Sequence, residues 1–217
     1  MENVILSGAR SNGLCSTFYR QSLPGREGAP PRAKNNISPS GATTQFSRLP
    51  PFLLSRDGEP FPLDKFSFVI KVNLIGTFNM LSRAAAEMSK NEPLDDDGGR
   101  GAIVNLASAA AFDGQIGQCA YSASKAGVVG MALPIARDLA AVGVRVNTVA
   151  PGLIDTPIYG EGPESEAFKA HLGKSVLFPK RLGSAEELAF AVMDCITNPY
   201  MNAEVIRLDG GIRMPPK

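Results

Sequence analysis

From residue 63 onward, the chain alternates between stretches with helical spacing of apolar residues and short apolar runs typical of buried strands. Helical spacing covers residues 63–91, 118–142 and 184–197. The runs AIVNLAS, GVRVNTVA and AEVIRLDGG predict strands. Strands joined by crossover helices pair in parallel and need helices on both faces of the sheet. The alternation therefore predicts an α/β fold with a doubly wound parallel sheet.

The first 60 residues are a different kind of sequence. The stretch SLPGREGAPPRAKNNISPSGATTQFSRLPPF is rich in Pro, Gly, Ser and Arg and has no sustained period of helix or strand. We expect a largely disordered segment over 1–60 and a folded part over 61–217. Up to residue 56 the only acidic residues are Glu2 and Glu27, while arginines recur. A mitochondrial transit segment is one interpretation, and a disordered tail or a misassembled N-terminus are the others.

Charge and cysteine usage exclude several classes of function. A formal net charge of +1 gives no basic surface for nucleic acid or an anionic membrane. No apolar run of about 18 residues occurs, so we expect no membrane span and a soluble mitochondrial or cytoplasmic protein. Cys15, Cys119 and Cys195 are widely spaced and form no Cys-x-x-Cys pair, which argues against a disulfide framework and a zinc site. We expect Cys119 to be a small buried residue.

The stretch CAYSASKAGVVGM, residues 119–131, carries two polar groups at helical spacing. Residues i and i+4 of a helix lie one above the other, so Tyr121 and Lys125 bring a phenol and an ammonium close together. The pattern alone is weak, because chance supplies Tyr-x-x-x-Lys about once in 400 positions. A tyrosine on a helix face beside a solvated lysine is the alternative.

Other polar residues strengthen the functional interpretation. Ser108 follows a predicted strand, thirteen residues before Tyr121, at the edge of the sheet where ligands bind in open α/β folds. Asn73 interrupts the apolar face of the first helix, where a buried amide must find partners. The Pro-Gly pair at 151–152 ends the next strand at the same edge, and Thr156 follows it. These elements are expected to meet at one crevice.

Four segments together resemble one known family. KVNLIGTF, NLASAAAFDGQIGQCAYSASKAGVVGM, RVNTVAPGLIDTP and VIRLDGG are similar to motifs of the short-chain dehydrogenases/reductases, over roughly residues 57–217. LPIARDLA, FPKRLG and AEVIRLDGGIRM favour a branch that oxidises 3-hydroxyacyl-CoA and hydroxysteroids. The resemblance implies a Rossmann-like sheet, NAD as cofactor, a small-molecule alcohol as substrate and a homo-oligomer.

The resemblance also implies roles for individual residues. Tyr121 would be the acid/base, Lys125 would favour its phenolate form and bind the nicotinamide ribose, and Ser108 would stabilise the developing alkoxide. Asn73 would hold a water in a proton relay. Ile154 and Thr156 would contact the nicotinamide. Gln115 would line the substrate pocket, or else be a solvated loop residue.

The family pattern fails in the first half of the chain. The family has a T-G-x-x-x-G-x-G turn for the pyrophosphate, which VILSGARSNGLCS only imitates, with Cys15 where the last glycine should be. KNNISPSG likewise imitates an N-N-A-G strand end, without an apolar strand before it. Two hypotheses follow. The chain is an NAD-dependent dehydrogenase, or it is a catalytically inactive truncated variant that acts only as an assembly partner or survives as a relic.

Overall fold

Helices and strands alternate through most of the computed structural model, which describes residues 3–10, 13–20, 53–55 and 58–216. Most of the segment interpreted as a possible transit segment, including the whole KNNISPSG stretch, lies outside these ranges. The elements in chain order are β1 Asn3–Arg10, β2 Gly13–Arg20, α1 Leu63–Ile70, a π-helical turn Lys71–Ile75, α2 Gly76–Met88, β3 Gly101–Leu106, α3 Cys119–Ala140, β4 Val144–Pro151, α4 Pro163–Gly173, α5 Ala185–Thr197 and β5 Val205–Leu208.

The strands form one five-stranded sheet in the order β2-β1-β3-β4-β5. Strands β1, β3, β4 and β5 are parallel neighbours, and β2 is antiparallel to β1. Ile103 of β3 pairs with Val146 of β4, which fixes the register at the centre of the sheet. The predicted α/β fold with a doubly wound parallel sheet is confirmed.

The two faces of the sheet bury different helices. On one face Ile103 and Val146 pack with α2 and α3 through residues such as Met88 and Ala136. On the other face Val104 and Val149 pack with α5. Neighbouring residues of a strand point to opposite faces, so the continuous apolar run of β3 supplies both cores.

Strands β1 and β2 differ from the expectation that residues 1–60 lack regular structure. Gly8 is paired with Cys15 and Arg10 with Gly13 across an antiparallel hairpin, so VILSGARSNGLCS does not form a strand, turn and helix. Strand β1 also pairs in parallel with β3, from Val4 with Ala102 to Ser7 with Asn105. Backbone pairing with a strand about 100 residues away needs no local periodicity, which explains why the pattern missed it.

Helix α4 was also missed by the sequence pattern, because its apolar residues do not form a clear stripe. It begins with Pro at its first position after Gly162, which has a positive φ of 98°. Phe168 of α4 packs against the ring of Tyr159 at a centroid distance of 6.3 Å.

None of the helices in the described ranges combines the length and the hydropathy that a membrane span requires.

Arg145 of β4 anchors the end of α5. Its guanidinium donates to the carbonyl oxygens of Cys195, Ile196 and Met201 at 2.6–2.8 Å. The last carbonyls of a helix lack partners within the helix and carry partial negative charge, so an arginine there satisfies both needs. Asn147 donates to the same Met201 carbonyl at 2.8 Å. These bonds hold the connection between α5 and β5 against the sheet.

We expect Arg145→Met to lower the free energy of unfolding by about 2–4 kcal/mol, because three charge-assisted bonds are lost at once. Urea denaturation followed by far-UV circular dichroism measures the loss. Arg137→Met, on the exposed side of α3, is the matched control and should change stability by no more than about 0.5 kcal/mol. Equal effects of the two substitutions would contradict this account.

Candidate active site

Tyr121 and Lys125 lie on one face of the first turns of α3. The Lys125 Nζ atom is 5.9 Å from the centre of the Tyr121 ring. Lys125 is 4% exposed and Tyr121 is 38% exposed, so the ammonium is covered while the phenol reaches the surface. Cys119, which begins the helix, is exposed, so its expected burial is wrong. The first residue of α3 faces solvent, whereas the next, Ala120, faces the core.

The Lys125 ammonium is tied to the end of β3. Its Nζ donates to the carbonyl oxygen of Leu106 at 2.9 Å. Burial lowers the pKa of Lys125 from 10.5 to about 8, because removing the ammonium from water disfavours its charged form. The bond to Leu106 uses one of the three N–H groups of the ammonium. The other two can donate hydrogen bonds to a ligand.

Ser108 follows β3 by two residues and begins a short 3-10 turn, Ala109–Ala111. Its Oγ accepts a hydrogen bond from the backbone N–H of Ala110 at 3.1 Å. Because the oxygen acts as acceptor there, the hydroxyl hydrogen is left to donate. Ser108 is half-buried at the edge of the sheet where the sequence predicted a ligand crevice.

Asn73 lies in the π-helical turn between α1 and α2 and is 8% exposed. Its amide Nδ2 donates to Ser124 Oγ at 3.1 Å, and its backbone carbonyl accepts from Thr77 Oγ1 at 2.8 Å. Ser124 in turn donates to the carbonyl of Tyr121 at 2.7 Å. The sequence analysis missed Ser124, although a polar residue beside Lys125 in an otherwise small, apolar helix was a signal for it.

Gln115 lies in the loop after Ser108 and faces the C-terminal segment. Its Nε2 donates to the Pro215 carbonyl at 3.0 Å, and the neighbouring Ile116 N–H donates to the Pro216 carbonyl at 2.9 Å. Gln115, Ile116 and Pro216 line an open groove of about 530 Å³, together with Phe112, Arg213 and Met214.

An ion pair network holds the same loop. The Arg207 guanidinium bonds Asp113 at 2.6 Å and Asp209 at 2.7 Å, and it lies 5.0 Å from the centre of the Phe112 ring. The bond to Arg207 lowers the pKa of Asp113. The loop that leaves Ser108 is thus fastened to β5 and the residues after it.

Ile154 and Thr156 follow β4. Ile154 pairs with Gly183 and lines a pocket of about 230 Å³ with Leu153, Val176 and Leu208. Thr156 is half-buried and precedes a 3-10 turn, Pro157–Tyr159. The adjacent Asp155 carboxylate binds Lys169 of α4 at 2.8 Å, so α4 is attached to this loop.

The structure therefore connects some of the predicted residues more closely than others. Hydrogen bonds join Asn73 to the Tyr121 turn, and Lys125 to the strand that leads to Ser108. Gln115 and Ile154 line two separate pockets. Within the described ranges, no cluster of three or more His, Cys, Asp or Glu side chains could hold a metal ion.

Comparisons with known proteins identify the family of this chain. The family model for short chain dehydrogenases matches residues 56–167. The human 3-hydroxyacyl-CoA dehydrogenase type-2 is 54% identical over 161 residues, which are 74% of this chain and 60% of that protein. The Drosophila melanogaster protein of the same name is 54% identical over 154 residues, covering 71% of this chain and 59% of that protein.

A solved structure is also similar. The crystal structure of 3-hydroxyacyl-CoA dehydrogenase type-2 from Mycobacterium avium superposes with a TM-score of 0.71 at 44% identity, covering 76% of this chain and 63% of that one. The chain thus spans about 60% of the length of the curated relatives it matches. On these matches in sequence and structure, the chain belongs to the short-chain dehydrogenase family.

Proposed function

We propose that this chain is an NAD-dependent oxidoreductase that oxidises a secondary alcohol, such as a 3-hydroxyacyl-CoA or a hydroxysteroid. The observation that carries the proposal is the partly exposed Tyr121 phenol beside the buried Lys125 ammonium. The ammonium is in turn bonded to the strand that leads to Ser108. Relatives named 3-hydroxyacyl-CoA dehydrogenase type-2 support the choice of substrate class.

The residues present fit the nicotinamide end of NAD. Lys125 uses one N–H on Leu106, which leaves two for the hydroxyls of a ribose. Thr156 and Ile154 are our candidates for contacts with the nicotinamide, since both follow the carboxyl end of β4. Bound NAD would supply the acceptor for the hydride that leaves the alcohol carbon.

In this proposal the polar residues have separate roles in removing the proton of the alcohol and in binding the substrate. Tyr121, as the phenolate, takes that proton as the general base and becomes a neutral phenol, and the Lys125 ammonium stabilises the phenolate before the transfer. The Ser108 hydroxyl donates a hydrogen bond to the developing alkoxide and so stabilises it. Asn73 orients a relay water with its side-chain oxygen. The hydrogen bond from the Asn73 side-chain N–H to Ser124 sets the direction of that oxygen. Gln115 is the candidate substrate contact among these residues.

A second candidate function, a catalytically inactive assembly partner, is favoured by the β1–β2 hairpin. Gly8 and Gly13, which the sequence placed in a possible pyrophosphate turn, are paired strand residues here. A strand, a tight glycine turn and a helix N-terminus are what a pyrophosphate needs. Residues 3–10 and 13–20 supply the strand without the helix.

NADH binding to the purified chain separates the two functions. Fluorescence titration of wild type and of the double variant Tyr121→Phe, Lys125→Ala should show saturable binding that weakens in the variant. Turnover of acetoacetyl-CoA is then the assay for the substrate class. A folded chain that binds no NADH would contradict the dehydrogenase proposal and favour the assembly partner.

We also propose a homo-oligomer located in mitochondria or the cytoplasm. Phe68, Ile75 and Phe78 on α1, the π-helical turn and α2 are each more than half exposed, at 53%, 54% and 51%. Several large apolar side chains exposed together are typical of an interaction surface. Light scattering coupled to size-exclusion chromatography measures the assembly state, and a monomer at micromolar concentration would contradict the proposal.

A further inference from the structure

Ser124 is a buried polar residue that the proposed chemistry does not use. Its side chain lies on α3, between the residues Tyr121 and Lys125 on one side and the π-helical turn on the other, and it is 0% exposed. A hydroxyl without access to water must find its partners within the protein. Ser124 finds two, and both belong to residues of the candidate active site.

The two hydrogen bonds have a defined direction. Asn73 Nδ2 donates to Ser124 Oγ at 3.1 Å, and Ser124 Oγ donates to the Tyr121 carbonyl at 2.7 Å. A hydroxyl that accepts one bond while donating another becomes a better donor and a better acceptor, so the two bonds strengthen each other. The chain of bonds runs from the π-helical turn into the first turn of α3.

The π-helical turn is what places Asn73 at this point. A π-helical turn inside an α-helix shifts the residues that follow it to a new face, and such turns are frequent at functional sites. The Thr77 hydroxyl donates a hydrogen bond to the Asn73 carbonyl at 2.8 Å, which stabilises the turn from its C-terminal side. With its backbone held there, Asn73 can direct its amide only toward a partner in its immediate surroundings, and Ser124 is that partner.

We propose that Ser124 is a positioning residue that couples Asn73 to Tyr121 and so sets the place of the Tyr121 ring in the active site. This inference rests on the proposed function. Ser124 touches neither substrate nor cofactor. It acts by fixing the helix turn that carries Tyr121 against the turn that carries Asn73.

Ser122 provides a matched control. It lies on the same turn of α3, two residues before Ser124, and its Oγ is buried with no hydrogen-bond partner among the described residues. Ser122→Ala removes the same group from the same helix without breaking a bond. A difference between Ser124→Ala and Ser122→Ala therefore reports on the bonds and not on the loss of a hydroxyl as such.

The coupling is tested first without turnover. In a two-dimensional N–H spectrum, the Asn73 side-chain amide is assigned by its loss in Asn73→Ala. We expect its hydrogens to exchange slowly with water in wild type and in Ser122→Ala, and at least about tenfold faster in Ser124→Ala. An amide that exchanges equally in all three proteins would overturn the inference.

Kinetics test the effect on the chemistry. A small displacement of a catalytic group can cost about 100-fold in rate, so we expect Ser124→Ala to lower kcat about 10–100-fold. The NADH dissociation constant should stay within about threefold, because Lys125 keeps its bond to Leu106. In the double variant Asn73→Ala, Ser124→Ala, kcat should be no more than about threefold below that of the less active single variant. Coupled residues behave in this way, because the second substitution removes an interaction that the first has already broken.

The opposite results are equally defined. A Ser124→Ala protein with the kcat of Ser122→Ala, or losses that multiply in the double variant, would overturn the positioning role. If Ser124→Ala does not fold, Ser124→Cys takes its place with the same outcomes, since a thiol is close in size and a much weaker donor. If wild type binds no NADH, the proposed function fails, and the exchange of the Asn73 amide alone decides the coupling.

Discussion

Replacing Tyr121 by Phe is expected to lower kcat about 1,000-fold while the NADH dissociation constant stays within about threefold. A positioned acid/base contributes roughly 10²–10⁴ to a rate, and Tyr121→Phe removes only the hydroxyl that moves the proton. The phenyl ring keeps its place over Lys125 Nζ, at 5.9 Å in the wild type. Steady-state oxidation of a 3-hydroxyacyl-CoA, together with NADH fluorescence titration, measures both quantities.

Tyr159 is the matched control for this substitution. Its ring packs on Phe168, and burial raises the pKa of its phenol, with Tyr121 and Asp155 as nearby contributors. A phenol that ionises with more difficulty than usual is a poor general base, so Tyr159→Phe should leave kcat within about threefold. A larger loss in Tyr159→Phe than in Tyr121→Phe would show that the base has been assigned to the wrong tyrosine.

Replacing Lys125 by Met should abolish turnover and yet stabilise the fold by about 1–2 kcal/mol at pH 7. Lowering the pKa of Lys125 from 10.5 to about 8 corresponds to a cost on the order of 3 kcal/mol for keeping the ammonium buried. Met avoids that cost, but the Leu106 carbonyl loses its charged donor, which lowers the stability by roughly 1–1.5 kcal/mol. Urea denaturation of both proteins gives the difference.

The stabilisation should depend on pH with a definite sign. The folded-state pKa of about 8 lies below the unfolded value of 10.5, so between these pH values the unfolded chain binds more protons. Wild-type stability therefore rises relative to Lys125→Met over that window, and the advantage of Met should vanish by about pH 9.5. An advantage that stays constant from pH 7 to pH 9.5 would show that the buried ammonium is not its source.

Apart from α4, the part of the fold after residue 63 was accessible from sequence because its local signals agree with its tertiary environment. The apolar run of β3 ends two residues before Ser108, and the structure has the strand at Gly101–Leu106. Helix α5 begins after Ser184, whose side chain caps the Glu187 N–H while Glu187 returns a bond to the Ser184 backbone. Asn73 was found because an amide on an apolar helix face breaks the pattern, and it is indeed buried.

Two other features that sequence reasoning missed, β1 and the bond of Ser124, depend on distant partners. Strand β1 is fixed by its pairing with β3, although the Asn12-Gly13 pair between the two N-terminal strands is a hairpin signal that could have been used. Ser124 accepts a bond from Asn73, 51 positions before it, and although a polar residue beside Lys125 was a local signal, no local pattern indicates that distant partner. The catalytic and binding roles of the candidate residues remain predictions, because the positions of side chains allow a reaction without showing that it occurs. These residues are Asn73, Ser108, Tyr121, Lys125, Gln115, Ile154 and Thr156.

The pairing of β1 with β3 closes a longer loop than the other parallel pairings of the sheet. About 90 residues separate β1 from β3, whereas about 40 separate β3 from β4 and about 50 separate β4 from β5. Closing a longer loop costs more chain entropy, and its contacts form more slowly. Whenever the N-terminal hairpin is undocked, the edge of β3 that it covers is free, and another chain can pair with β3 there instead.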